Sequence, residues 1–184
     1  MLRAAVIVPV VLYGEPEILF VRRAAHLRRN AGEVAFPGGL VDLADADDLE
    51  QTARREFEEE IGIPARLLTV LGPLPPVVVV NQTVEVRPFV ALLRGPIAPN
   101  VDHREVETAF TIPLEAIARP GALHEGVERV GEREIQTWIF DYETVHVWGA
   151  TARILAAFLA ALRGGDPELC GRLDAYDVRV RRDR

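Results

Sequence analysis

The chain has 184 residues, 49% of them apolar, and a net charge of −7, which suits one domain with a real core and argues against a general nucleic-acid binder. Its single cysteine, Cys170, excludes an intrachain disulfide or a thiolate metal cluster and reads as a small buried hydrophobe in a reducing, cytoplasmic setting. No apolar run reaches the roughly 18 residues of a membrane span, and the opening "MLRAAVIVPVVLYG" contains Pro9 and lacks a small-x-small cleavage site, so it reads as a buried strand.

In chain order, residues 4–12 and 17–22 are β-branched and aliphatic, and the turn "YGEPE" between them predicts a hairpin. "AAHLRRNAG" reads as a polar loop and "EVAF" as a short strand stopped by Pro37. After Gly38-Gly39 comes an acidic loop, then a helix from about Leu49 to Ile61 closed by Gly62. "RLLTVLGPL", "VVVV" and "TVEVRPFVALL" are strands broken by Pro75-Pro76 and by Asn81-Gln82; in the last, Val84, Val86 and Pro88 alternate with Glu85 and Arg87. "REVETAFTIPLEAIA" predicts a strand and a short helix, and "ERVGEREIQTWIFDYE" a hairpin about Gly131. A C-terminal helix over about 148–163 and a basic, solvated tail over 175–184 complete the chain, with Trp138 and Trp148 expected in the core. The expectation is an α/β fold, a mixed sheet with helices on both faces, in a single domain.

The stretch from Gly38 to Ile63, "GGLVDLADADDLEQTARREFEEEIGI", holds nine carboxylates, four of them between Glu56 and Glu60. At about 100° per residue, Glu56, Glu59 and Glu60 share one arc, Ala53, Phe57 and Ile61 form the adjoining buried stripe, and Glu58 points away. Like charges four apart repel, and a merely solvated helix face gives them no compensation beyond Arg54 and Arg55. A divalent cation removes the conflict, and oxygen ligands at this density suit Mg²⁺ or Mn²⁺. The preceding glycines permit close backbone approach and can turn a carbonyl towards the ion. The histidines 26, 103, 124 and 146 show no metal-ligand spacing, although His26 and His103 fall in loops beside the expected site.

These residues resemble the Nudix box, G-x5-E-x7-R-E-U-x-E-E-x-G-U with U aliphatic, over residues 39–63. "REFEEEIGI" fits from Arg55 to Ile63 with Phe57 at one aliphatic place, while Asp45 stands at the first Glu place and lies two residues too far from Arg55. "RRAAHLRRNAGEVAFPGG" is similar to the signature of the coenzyme A pyrophosphatase branch, matching at Arg23, Ala24, Arg28, Gly32, Phe36, Pro37, Gly38 and Gly39. "LFV" at 19–21 departs from that branch's usual Leu-Leu-Thr or Leu-Leu-Ser, whereas "LGPLPPVVVV", "VRPFVALL" and "VWGATARIL" follow it further along.

The resemblance implies a Nudix-type α/β/α sandwich and metal-dependent hydrolysis of a diphosphate bond, here that of coenzyme A. It implies metal binding by Glu56, Glu59, Glu60 and the Gly38 carbonyl, with Arg55 orienting a box carboxylate. The general base is either Glu56 or a carboxylate of a later loop, for which Glu105 is favoured with Glu107 behind it. Arg23, Arg28 and Gly39 are the expected substrate contacts, guanidinium forks being suited to phosphate. The expected partner is a small coenzyme A-like nucleotide, with no nucleic acid or membrane, and a homodimer is left open. Hydrolysis of another nucleoside diphosphate derivative, such as NADH, ADP-ribose, a dinucleoside polyphosphate or a nucleoside triphosphate, is the alternative. A non-catalytic nucleotide sensor would be expected to lose box carboxylates, which this chain keeps.

Overall fold

The computed structural model describes residues 1–45, 47–79, 83–176 and 178. Strands β1 (Leu2–Leu12) and β2 (Glu17–Arg23) form the expected hairpin, with Val10 opposite Ile18 and Val11 opposite Glu17. Along its other edge β1 runs parallel to β7 (Val84–Arg94), from Leu2 against Val84 to Leu12 against Arg94. Both strands carry apolar residues on two faces because both faces of the sheet are covered.

The hairpin does not stay zipped. Pro9 has no N–H to offer β2, so the ladder stops at Val10 and the strands part. Two short strands fill the fork. β3 (Val34–Ala35) pairs with β2 at Val21 and Arg22, and β4 (Gly38–Leu40) pairs with β1 from Ala4 to Val6. Between them Phe36 stacks on Phe20 with ring centroids 5.0 Å apart, and the Pro37 carbonyl accepts from Ile7 N–H. The double glycine is thereby wedged against β1, although the sequence reading placed only loop there.

β8 (Val106–Pro113) covers the outer edge of β2, while β5 (Leu68–Pro73) and β6 (Val77–Val79) share the outer edge of β7. Pro88 faces the break between β5 and β6, where its carbonyl accepts from Leu74 N–H. The sheet has eight strands and mixed direction. Helix α1 (Leu49–Ile61) lies on one face, where Ala53, Phe57 and Ile61 meet Ile7, Leu19 and Ala91. Helices α2 (Leu114–Ala118) and α3 (Gly149–Ala160) cover the other, where Leu155 and Phe158 meet Val8, Val10 and Phe20. This is the expected α/β/α sandwich.

The second half of the chain departs from the sequence reading. β9 (Leu123–Val130) and β10 (Arg133–Tyr142) form the hairpin about Gly131, but with β11 (Val145–Trp148) they make a separate three-stranded sheet. The C-terminal helix stops at Ala160, continues as a wider turn to Gly165, and is followed by α4 (Pro167–Asp174), which Asp166 caps. Trp138 and Trp148 are only half-buried. Within the expected solvated tail, Tyr176 lies under the Arg94 guanidinium and Val178 is 1% exposed; the other residues of that tail except Ala175, like the break at Asn81-Gln82, lie outside the described residues. Arg153 Nη1 donates to the Val78 carbonyl at 3.0 Å and Arg172 Nη1 to the Leu71 carbonyl, fastening α3 and α4 to the β5/β6 edge. Among the described residues no helix is long and apolar enough to cross a membrane.

The wedge makes Gly38 irreplaceable for the fold. Its φ of 153° disfavours any side chain, and a Cβ would stand 2.3 Å from the Ala5 carbonyl oxygen, a backbone atom that cannot swing aside. Gly38→Ala is expected to cost at least about 1–3 kcal/mol of strain, read as a lowered urea midpoint; an unchanged midpoint would refute the wedge.

Candidate active site

Helix α1 is built to hold its carboxylates still. Asp48 caps its start by accepting from Glu50 and Gln51 N–H, and Gly62 ends it in the left-handed region at φ 70°. The buried stripe fixes the rotation of the helix and turns Glu56 and Glu60 towards the fork. Glu58, on the far side, accepts from Ala65 N–H at 2.8 Å and secures the exit of the helix.

Arg55 is the hub of the charged network. Its Nε and Nη2 each donate to one oxygen of Asp45 at 2.9 Å, and its Nη1 donates to Glu56 at 2.8 Å and to Glu59 at 3.0 Å. Asp45 is only 1% exposed and also accepts from Asp42 N–H and Thr52 Oγ1, at 2.8 and 2.9 Å. These bonds, above all those from Arg55, hold its carboxyl well below the usual carboxylate range. Asp45 therefore occupies the first Glu place as a buried brace. Thr52, its neutral partner, gave no signal in the sequence because its polarity follows neither the acidic arc nor the apolar stripe.

The two glycines serve different neighbours. Pro37, Gly39 and Val41 face the β1 ladder, which leaves Gly38 at the alternate position with its peptide groups turned away. Its N–H donates to Glu60 Oε2 at 3.0 Å. Gly39 backs onto Glu56, where a Cβ would lie 2.4–2.6 Å from the carboxylate atoms.

Glu60 is 3% exposed, and burial pushes its carboxyl up to about 7, with the charges of Glu56 and Glu105 adding to the shift and Gly38 N–H and Arg23 opposing it. Glu56 is raised as well, again chiefly by burial, with Arg55 opposing and Glu59 and Glu105 adding. Glu105, in the segment before β8, is thus near enough for its charge to act on both box glutamates, while Glu107 contributes to neither; both side chains are exposed. Arg23 lies among these carboxylates, half-buried, and its Nε is buried without a hydrogen-bond partner. Glu33, which the sequence reading passed over, is raised by burial, with the charge of Arg23 opposing the shift. Arg28 stands exposed on the loop 24–33 and pairs with no described residue. Glu59 is the outlier of the acidic arc, its side chain 58% exposed.

The donor set is all oxygen, the half-buried Glu56 and the buried Glu60 repel each other there, and a hard divalent cation relieves such a conflict. Among the described residues no three acidic, histidine or cysteine side chains are already gathered as ligands, oxygens of Glu56, Glu59 and Glu60 being engaged by Arg55 and by Gly38 N–H. The chemistry of the donors, all carboxylate and carbonyl oxygen, suits a hard divalent cation.

Two outcomes follow from this geometry. Gly39→Ala should keep the fold, since the obstructing atoms end a flexible side chain, at a cost under about 1 kcal/mol; displacing Glu56 should lower turnover at least about tenfold. A urea midpoint and a hydrolysis rate separate the two effects, and full activity would remove Glu56 from the site. The second concerns pH in EDTA. Because folding raises the Glu60 pKa from 4.5 to about 7, its contribution to stability is fully present below pH 4.5 and is lost as pH rises through 7. The loss amounts to at most about 3 kcal/mol. Glu60→Gln should flatten melting temperature against pH over that window, and an unaltered slope would show that Glu60 carries no such burden.

Comparison with known proteins matches this architecture and box. The model of the NUDIX domain matches residues 1–150. A Salmonella paratyphi B protein named as an uncharacterized Nudix hydrolase, NudL, is 41% identical over 154 residues, which is 83% of this chain and 79% of that protein. Among solved structures, the MutT protein of Methanosarcina mazei Go1 covers 89% of this chain and 95% of its own at TM-score 0.56 and 19% identity, a likeness of fold. An Ap4A hydrolase of C. elegans, solved as a binary complex, covers 61% of this chain and 80% of its own at TM-score 0.52 and 26% identity. The NUDIX domain of Shewanella oneidensis NrtR, complexed with ADP ribose, covers 62% and 73% at TM-score 0.50 and 21% identity. With the match spanning most of the chain and a relative above 40% identity, the chain belongs to the Nudix family, among its pyrophosphohydrolases.

Proposed function

We propose that the chain hydrolyses the diphosphate bond of coenzyme A or its derivatives, giving 3′,5′-ADP and (acyl-)phosphopantetheine. The observation that carries this reading is Arg23, whose charge acts on Glu60 while its Nε is buried without a hydrogen-bond partner, together with the exposed guanidinium of Arg28 on the loop that follows. A substrate with a 3′-phosphate beyond its diphosphate offers each of them an anion. The signature that these arginines share with the coenzyme A branch supports the same choice.

A divalent cation, Mg²⁺ or Mn²⁺, held by Glu56, Glu59, Glu60 and the Gly38 carbonyl would neutralise charge on the diphosphate and make water easier to deprotonate. Arg55 releases or keeps Glu56 and Glu59 according to how strongly Asp45 holds it, and so sets where their oxygens stand. Glu105 is the base, accepting a proton as the water oxygen bonds to one phosphorus and the bridging oxygen departs with the other. Arg23 binds the diphosphate next to Glu60, and Gly39 keeps the path to Glu56 clear.

The test is a comparison of coenzyme A, dephospho-coenzyme A, NADH, ADP-ribose and Ap4A with each metal. Coenzyme A should be the best of them. Arg28→Ala should lower kcat/KM for coenzyme A by roughly ten- to hundredfold, a charge-assisted bond contributing about 1.5–3 kcal/mol, and should leave the dephospho substrate nearly unchanged. Parallel losses would assign Arg28 to the diphosphate or to the loop, and a wild type inert towards coenzyme A would sink the substrate while leaving the Nudix chemistry intact.

A further inference from the structure

The segment that carries Glu105 has no regular structure between β7 and β8, so its position depends on what it is fastened to. One end is fastened to the exit of α1. Asn100 N–H donates to the Ile61 carbonyl at 2.9 Å and Asp102 N–H to the Glu60 carbonyl at 3.1 Å. Gly62 permits this approach, for a Cβ there would stand 2.4 Å from the Asn100 carbonyl oxygen. A tight turn follows, in which the Asp102 carbonyl accepts from Glu105 N–H at 3.0 Å and from Val106 N–H at 2.9 Å.

The other end is held by the loop 24–33, which follows Arg23 and bears Arg28. Ala24 N–H donates to the Glu105 carbonyl at 2.9 Å, and His26 Nε2 lies 3.1 Å from the Arg104 carbonyl. A carbonyl only accepts, so Nε2 carries the proton. His26 therefore grips the peptide immediately ahead of Glu105, from a position three residues beyond Arg23 and two before Arg28.

We propose that His26 is a positioning residue: by donating Nε2–H to the Arg104 carbonyl it fixes the backbone that carries Glu105, and so ties the loop 24–33 to that carboxylate. The proposal rests on the reading of Glu105 as the proton acceptor. It gives the otherwise spare histidine a task that its sequence position alone did not reveal.

The experiment compares wild type, His26→Ala, His26→Gln, Glu105→Gln and the double variant His26→Ala/Glu105→Gln. Hydrolysis of coenzyme A and of ADP-ribose with Mg²⁺ is measured alongside amide hydrogen exchange of the metal-free proteins. Losing one exposed hydrogen bond should lower kcat about three- to tenfold and leave KM within about twofold. Exchange at Ala24 and Val106 should quicken, and Gln, whose amide can donate in the same direction, should restore both readouts. In the Glu105→Gln background, His26→Ala should lower kcat no further.

Equal losses in both backgrounds would overturn the positioning role while leaving Glu105 as the base. A rise in KM with kcat unchanged would assign His26 to the arginine loop instead, and unchanged exchange at Ala24 and Val106 would overturn the proposal whatever substrate is turned over. Wild-type turnover by Glu105→Gln would sink the reading of Glu105 itself, and this role of His26 with it.

Discussion

The site depends on one guanidinium. Arg55 reaches four side-chain oxygens on three carboxylates, and only one of those carboxylates, Asp45, lies off its own helix. Because Asp45 is buried and fully bonded, it cannot yield, so it anchors Arg55 and leaves Glu56 and Glu59 as the partners that can exchange. A lone carboxylate cluster would repel itself open; a cluster strung on an anchored cation is held open at a set spacing. Substitution by lysine would not reproduce this, since a point charge lacks the planar fork that grips both Asp45 oxygens.

The geometry of the sheet places that network. Pro9 ends the β1–β2 ladder, the fork opens, and the segment from Val34 to Leu40 drops into it. The glycines then meet two surfaces at once, Gly38 against the β1 backbone and Gly39 against the Glu56 carboxylate. Packing of Phe57 and Ile61 beneath the same sheet sets the height of α1, so the apolar core and the charged cluster are positioned by the same contacts.

Much of this was legible in local sequence. The α1 helix ran from Leu49 to Ile61 and ended at Gly62 as read, because caps, stripe and left-handed glycine are all signals within a few residues. The helical spacing of Glu56 and Glu60 was legible in the same way, whereas the exposure of Glu59 was not. What was not legible depends on distant partners. The burial of Asp45 needs Arg55 to fold back over ten residues, and the β4 strand has no side-chain alternation to betray it because two of its three residues are glycine. β11 is four residues long and runs straight into α3, so it was not read as a strand and its last residue, Trp148, was counted with the helix. The half-burial of Trp138 and Trp148 reflects their place in the small second sheet, which has solvent near both faces.

The C-terminal helices also act on the sheet's open side. Among the described residues β5 and β6 pair only with β7, and an outer strand with spare carbonyls is a template for another chain. Arg153 and Arg172 occupy two of those carbonyls, at Val78 and Leu71, and bring the bulk of α3 and α4 alongside. The arginines thus act as stoppers, guarding against strand-to-strand association between molecules. A form of the protein clipped before α4 would keep the carboxylate cluster intact and yet expose part of that edge, so its first defect would be self-association and not lost chemistry.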